Sequence, residues 1–422
     1  MMKMFKSFLF IAALTVAFVS CSDDDDNGGG EAVATCTDGI QNGTETGVDC
    51  GGSCNACPPV KDGSIDSQDD PDLDPTDLKG NVTANITISA AQTWALTGAL
   101  TVKSGAVLTI EAGTTFEATA GGTNVYIAVE QGAQINATGT AAAPIVMTSA
   151  AGNPRPGDWG GLVIAGRAPI NVGATAEAEV IGLTYGGTAA DDNSGTLTYV
   201  RVEYTGARIN GESEFNGITL YGVGSATTVN HIAVFNGADD GIEFFGGTVN
   251  TSNVLLVNCT DDSFDVAEGY VGSSTNVYIV REEGFLNVTD DPRGIEADSN
   301  SSNNDAMPRS NFSIDGLTII NAANVEQADL IKIRRGCSAT ITNGLLATIG
   351  DGTASDVVDL TDGRGPAAGT TSIIANVLNV DVTDIKNEVG ATVTLTEANA
   401  GGADAAVFGW TNFTFPAIVP NP

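Results

Sequence analysis

Three stretches carry one phrase: Asp239-Asp240-Gly241-Ile242-Glu243-Phe244, Asp261-Asp262-Ser263-Phe264-Asp265-Val266 and Asp290-Asp291-Pro292-Arg293-Gly294-Ile295-Glu296-Ala297. Each opens with an acid pair in a turn and continues as a strand reading apolar-acid-apolar. Strand side chains alternate between two faces, so Ile242/Phe244, Phe264/Val266 and Ile295/Ala297 share one face and Glu243, Asp265 and Glu296 the other. Upstream, Ile218-Thr219-Leu220-Tyr221 fits the phrase; downstream, Ile331-Lys332-Ile333-Arg334 and Val358-Asp359-Leu360-Thr361 do. Steps of roughly 22 to 36 residues between these strands fall within solenoid periods, and uneven steps suit constant strands joined by variable loops. Neighbours in register lie about 4.8 Å apart. The spacing therefore predicts an inward column Ile218, Ile242, Phe264, Ile295, Ile331, Val358. Its outward companion is Thr219, Glu243, Asp265, Glu296, Lys332, Asp359.

The pattern extends over about 81–415. Short apolar runs at Ile86–Ile88, Trp94–Leu96, Leu100–Val102, Val107–Ile110, Val125–Val129 and Ile145–Met147 alternate with polar or Gly turns. Trp159-Gly160-Gly161 opens another rung, with glycine where the backbone must turn closely. A second strand line runs through Tyr199–Tyr204, Val229–Phe235, Asn253–Val257 and Asn276–Val280, and 167–196 reads as a loop excursion. Two or three strand lines per coil predict an all-β, right-handed parallel β-helix, since parallel crossovers are almost always right-handed. A two-sheet sandwich is the alternative, but it would show hairpin turns, and few appear. Ser299–Pro308 reads as an exposed loop near the acid column. Aromatic Val407–Phe415 reads as a cap over the open end of the solenoid, followed by a tail, 416–422.

With 17 Lys+Arg against 52 Asp+Glu the net charge is −35. Phosphate binding needs a basic surface, so nucleic acid is not a partner. The 42% apolar content suffices for a large core, which excludes a disordered chain.

Acids stacked at rung spacing repel one another unless a cation, a proton or a basic neighbour intervenes. Glu243, Asp265 and Glu296 are therefore the candidate ligand-binding residues, with Lys332 and Arg334 supplying positive charge at one end. Asp239, Asp240, Asp261 and Asp262 are candidate metal ligands, calcium being the ion that takes six to eight such oxygens. The competing reading is a solvated acidic face with ordinary turn aspartates. Tyr221 and Phe245 flank the acids, either as a sugar-stacking platform or as packing beneath a loop. His231, the sole His, reads as a packing residue. Cys259 and Cys337 stand about 78 residues apart, beyond disulfide reach, and read as buried thiols.

The N-terminal residues 1–20 carry Lys3 and Lys6 before an apolar run too short to span a membrane. This segment ends in Phe18-Val19-Ser20-Cys21, which resembles a bacterial lipobox with Cys21 lipidated. The following Ser22-Asp23-Asp24-Asp25-Asp26 resembles the surface-export signal of Bacteroidota lipoproteins; a plain acidic tether is compatible with it. Residues 21–35 form this acidic/Gly tether. Cys36, Cys50, Cys54 and Cys57 predict two disulfides on a mini-module, 36–57, with three connectivities open. Zinc fits less well, since Cys36 lacks a close Cys partner. Asp38, Asn42, Glu45 and Asp49 form a minor calcium alternative. This segment resembles a Cys-rich spacer of secreted proteins from marine bacteria. Residues 58–80, rich in Pro and Asp, read as an extended linker.

Several phrases together resemble a family of bacterial surface lipoproteins with a β-helix, found in Bacteroidota and leptospires. They are Ser104–Thr114, Ala143–Ser149, Gly157–Leu162, Ser194–Tyr204 and Asp239–Asn250. The resemblance implies attachment to the outer membrane through the lipid, exposure at the cell surface, and association with TonB-dependent receptors in nutrient uptake. It implies no reaction. Parallel β-helices also carry polysaccharide hydrolases and lyases, for which Glu243 with Asp265, or Asp265 with Glu296, would be the acid pair. Against that reading, no Gly-His-Gly phrase is present, and Lys332-Ile333-Arg334 reverses the Arg-Ile-Lys of polygalacturonase-like enzymes. The leading expectation is a non-enzymatic accessory binding a carbohydrate or metal; the alternatives are that enzyme and a structural or adhesive surface protein. A membrane-impermeant reagent should label the protein on intact cells, and replacing Asp23–Asp26 by Ala should move it to the periplasmic face. Labelling that survives the replacement would reduce the acidic run to a tether.

Overall fold

The computed structural model describes residues 34–57, 60–209 and 213–420. The signal segment, Cys21 and most of the acidic tether lie outside the described residues. Two units are present, dividing after Val60. In the first, disulfides join Cys36 to Cys54 and Cys50 to Cys57, selecting one of the three connectivities. The acids of the minor calcium alternative stitch the module instead: Asp49 accepts from the Asp38 and Gly39 amides, and Glu45 from the Asn42 amide.

The second unit is a parallel β-helix with three strand lines. The first line contains Leu162–Ala165, Ile218–Tyr221, Ile242–Phe245, Phe264–Ala267, Arg293–Ala297, Glu326–Ile333 and Thr353–Asp359, all paired in parallel. The register is the expected one. Ile218 pairs with Ile242, then Phe264, Ile295, Ile331 and Val358 follow in turn, all buried. A second inner column, Leu220, Phe244, Val266, Ala297 and Ile333, lies two residues on.

The other two lines come from single long strands bent once. From Gly195–Glu203 to Ser338–Thr348, the bend is one residue in the left-handed region: Tyr199, His231, Asn253, Asn276, Gly316 and Asn343. Asn tolerates that conformation better than most side chains. Asn276 also donates to Asn253 at 2.9 Å, and Asn253 to Asn230 at 3.0 Å. His231 occupies this corner stacked on Tyr199, with ring centroids 4.2 Å apart, which accounts for it as packing. Gly161, at φ +140°, is needed where it stands: a Cβ there would lie 2.2 Å from the Asn216 carbonyl oxygen.

Two expectations require correction. Residues 61–80 are not an extended linker: Ser64–Ile65 and Leu78–Val82 form the first coils, with Ile65 and Leu78 fully buried. The Asp residues that suggested solvation cap turns, as Asp72 accepts from the amides of Asp62 and Gly63. The C-terminal aromatics do not cap the end. Ala405–Thr411 is a 3-10 helix lying along the side of the coil, and Phe408, Trp410, Phe413 and Phe415 cover an outward apolar face made by Phe235, Leu255, Tyr278 and Ile320. The segment 416–420 continues this strap, with Asn379 donating to the Val419 carbonyl. Ser299–Pro308 is the expected exposed loop over most of its length, with Ser299 and Asn300 buried at its start. Cys259 and Cys337 are buried free thiols, as expected.

Phe264 is fully buried between Phe244 and Phe312, at 5.0 and 6.3 Å. Phe264→Ala should cost about 3–5 kcal/mol. Phe264→Asp, which buries an unpaired carboxylate as well, should unfold the middle coils. Circular dichroism melts of both variants would check the order.

Candidate functional site

The outward column assembles in the expected register: Thr219 pairs with Glu243, then Asp265, Glu296, Lys332 and Asp359 follow. Its exposure is not as expected. Thr219, Glu243, Glu296, Lys332 and Asp359 are buried and Asp265 is half-buried. Turns and excursions flank the first strand line and wall it into a groove of about 330 Å³. Glu243, Asp265, Glu296 and Arg334 form the floor. The turns before the strands supply Asp239, Asp240, Asp261, Asp262 and Asp291, and Arg293 is the first residue of its strand. Glu179 leans in from the 167–196 excursion, and Arg208 and Glu214 from the segment before Asn216. Every described lining residue is charged: ten carboxylates and three guanidiniums, a formal −7. Glu179, Arg208 and Glu214 had no signal in the strand pattern, because they come from loops.

The column divides into two halves. At its lower end the chain supplies its own cations. Glu296 is paired with Arg293 at 2.6 Å and with Arg334. Lys332 meets Asp359 at 2.5 Å, Arg293 meets Asp329 at 3.0 Å, and Lys386 meets Asp356 at 2.6 Å. Lys332 and Arg334 are thus occupied by neighbouring acids. Glu296 joins them there rather than standing open beside Glu243 and Asp265.

At the upper end Asp240, Glu243 and Asp265 have no ion pair among the described residues. Glu243 accepts from the Asn216 amide at 2.5 Å. Burial pushes all three carboxyls well above their ordinary range, helped by like charges: Asp239 for Asp240, and Asp265 for Glu243. Burial also raises Asp239 to about 8, aided by Asp261, and Asp262 to about 8, opposed by Arg293. One carboxylate oxygen from each of Asp240, Glu243 and Asp265 lies within 4.8 Å of the others, and the same holds for Asp239, Asp240 and Asp261. These clusters have the donor set to hold a metal ion.

Tyr221 and Phe245 stack on each other at 4.3 Å, and Tyr185 lies 4.7 Å from Tyr221. Tyr221 is fully buried beneath the excursion, whose Ala176–Glu177 and Thr184–Tyr185 form a small hairpin. The aromatic pair is therefore packing, and neither residue lines the groove.

Residues 80–412 match the family model described as a pectate-lyase like beta helix domain. The chain belongs to that family. No curated protein matches it. Among solved structures, this family member is similar to the catalytic domain of a GH87 alpha-1,3-glucanase in complex with tetrasaccharides. The two share 14% identity over 82% of this chain and 71% of the other, with a TM-score of 0.30. At that TM-score the likeness bears on neither fold nor chemistry here.

The raised carboxyl groups fix a sign for stability. Asp239 and Asp262 keep their protons to about pH 8 when folded, but lose them near pH 4 when unfolded. Between those values the folded state binds more protons, so stability falls as pH rises. In chelator, the melting temperature should drop by at least about 5 °C from pH 5 to pH 8, where each kcal/mol is worth a few degrees. A melting temperature that rises over that interval would contradict the burial of these groups.

Proposed function

We propose that this protein is a non-enzymatic binding protein whose groove takes a divalent cation and, through it, a polyhydroxylated ligand. The carrying observation is the trio Asp240, Glu243 and Asp265: three carboxylate oxygens within 4.8 Å, flanked by further acids and left without a basic partner. Three carboxyls so placed must share protons or share a cation. Calcium is the favoured ion, because the lining offers only oxygen donors besides guanidinium, and hard cations select such sites. A sugar bound without an ion would find no aromatic platform, since Tyr221 and Phe245 are turned into packing.

The lipobox-like end of the N-terminal segment, with Cys21 and the acidic run after it, supports a cell-surface position anchored in the outer membrane. There the groove would present its ligand to a TonB-dependent receptor. A second reading, a polysaccharide hydrolase or lyase, is favoured by the family and by one pair: Glu243 and Asp265 are register neighbours, and a carboxyl kept protonated by burial is what a general acid requires.

A Glu243→Gln, Asp265→Asn double variant separates the two. Calcium at a hundred times its Kd should stabilise the wild type by about 2.7 kcal/mol. The double variant should lose most of that gain in calorimetry with and without chelator. Melting indifferent to calcium, together with cleavage of an acidic polysaccharide that the same variant abolishes, would replace the binding function with the enzymatic one.

A further inference from the structure

The upper groove contains two sets of carboxylates, Asp240/Glu243/Asp265 and Asp239/Asp240/Asp261, and Asp240 belongs to both. The sharing follows from the repeated phrase. The acid pairs at Asp239-Asp240 and Asp261-Asp262 precede strands that stack in register, so each turn lies beside the one below. The Asp262 amide donates to Asp240 Oδ1 at 2.9 Å, which ties the two turns together.

An independent observation points to a ligand in this part of the groove. Asp262 lines it and is only 6% exposed, yet its Oδ1 has no hydrogen-bond partner. Its other oxygen is 3.9 Å from Arg293, whose guanidinium is engaged more closely by Glu296 and Asp329. A buried carboxylate oxygen without a partner is costly, and native folds rarely keep one without a ligand or water to meet it. A third acidic set among the described residues, Asp329, Asp356 and Asp359, has no such shortage, because Arg293, Lys332 and Lys386 lie 2.5 to 3.0 Å from it.

We propose that the groove holds two divalent cations that share Asp240, with Glu243 and Asp265 on one and Asp239 and Asp261 on the other. This rests on the reading of the groove as a cation site. With every lining carboxyl ionised the groove carries a formal −7, of which one divalent ion would offset two and a second ion two more. Asp262 supplies a further oxygen beside the shared carboxylate.

Isothermal titration of calcium chloride into the chelator-treated full chain tests this by differences in stoichiometry. Asp240→Asn should lose two equivalents relative to wild type; Glu243→Gln and Asp261→Asn should lose one each. Asp356→Asn, in the self-neutralised set, should lose none. Circular dichroism in chelator must show each variant folded, and Asp240→Glu should restore binding if the asparagine variant does not fold. Loss of a single equivalent by Asp240→Asn overturns the shared pair while leaving a one-cation groove. No loss in any of the three groove variants overturns the cation reading itself.

Discussion

The structure depends on the registry of parallel stacking. Each coil repeats its backbone about 4.8 Å above the last, so any residue recurring at one phase of the coil becomes a column. A single coil cannot bury its own apolar face, and only the stack creates an interior. Ile218, Ile242, Phe264, Ile295, Ile331 and Val358 show the favourable consequence, an unbroken buried column. Glu243, Asp265 and Glu296 show the unfavourable one. The same registry places carboxylates at a spacing where charge must be offset.

The chain offsets that charge differently along one column. Where Arg293, Lys332, Arg334 and Lys386 alternate with acids, the lattice neutralises itself. Buried pairs of this kind add little net stability, but removing one partner leaves a stranded charge. Where the same phrase lacks a basic residue, at Asp239 to Asp265, burial raises the carboxyl pKa values instead. Buried Arg281 lies beneath this region, donating to the carbonyls of Cys259 and Arg293 rather than to any groove carboxylate. Arg281 thus supports the turns from below without an ion pair to their carboxylates.

Much of this was legible in the sequence, because registry turns a linear repeat into spatial order. Alternation in the six phrases gave both columns residue by residue. What was not legible is the contribution of segments that break the repeat. The Asp-rich stretch before residue 81 reads as solvated, yet Ile65 and Leu78 dock it as the first coils. Tyr221 looks outward by alternation and is outward of the coil, but the excursion at 167–196 then covers it. The aromatic C-terminal run looks like an end cap, whereas an outward apolar face around Phe235, Leu255 and Tyr278 draws it along the side. In each case the deciding partner lies far away in sequence, where periodicity carries no information.

The placement of those irregular segments explains why the groove is where it is. From Tyr199 to Asn343, the second and third strand lines meet through one left-handed residue, with no room for insertion. The first line is different: longer connections flank it at 166–194, 204–217, 282–292 and 298–310. Loops tolerate variation at little thermodynamic cost when their ends are fixed by a rigid stack. The longer connections are therefore concentrated beside the one strand line that carries the acids. The rigid corners hold the carboxylates at fixed spacing, while the loops bury them and add Glu179, Arg208 and Glu214 from outside the repeat. A scaffold of this kind can change its ligand by changing its loops while the acid column stays in register.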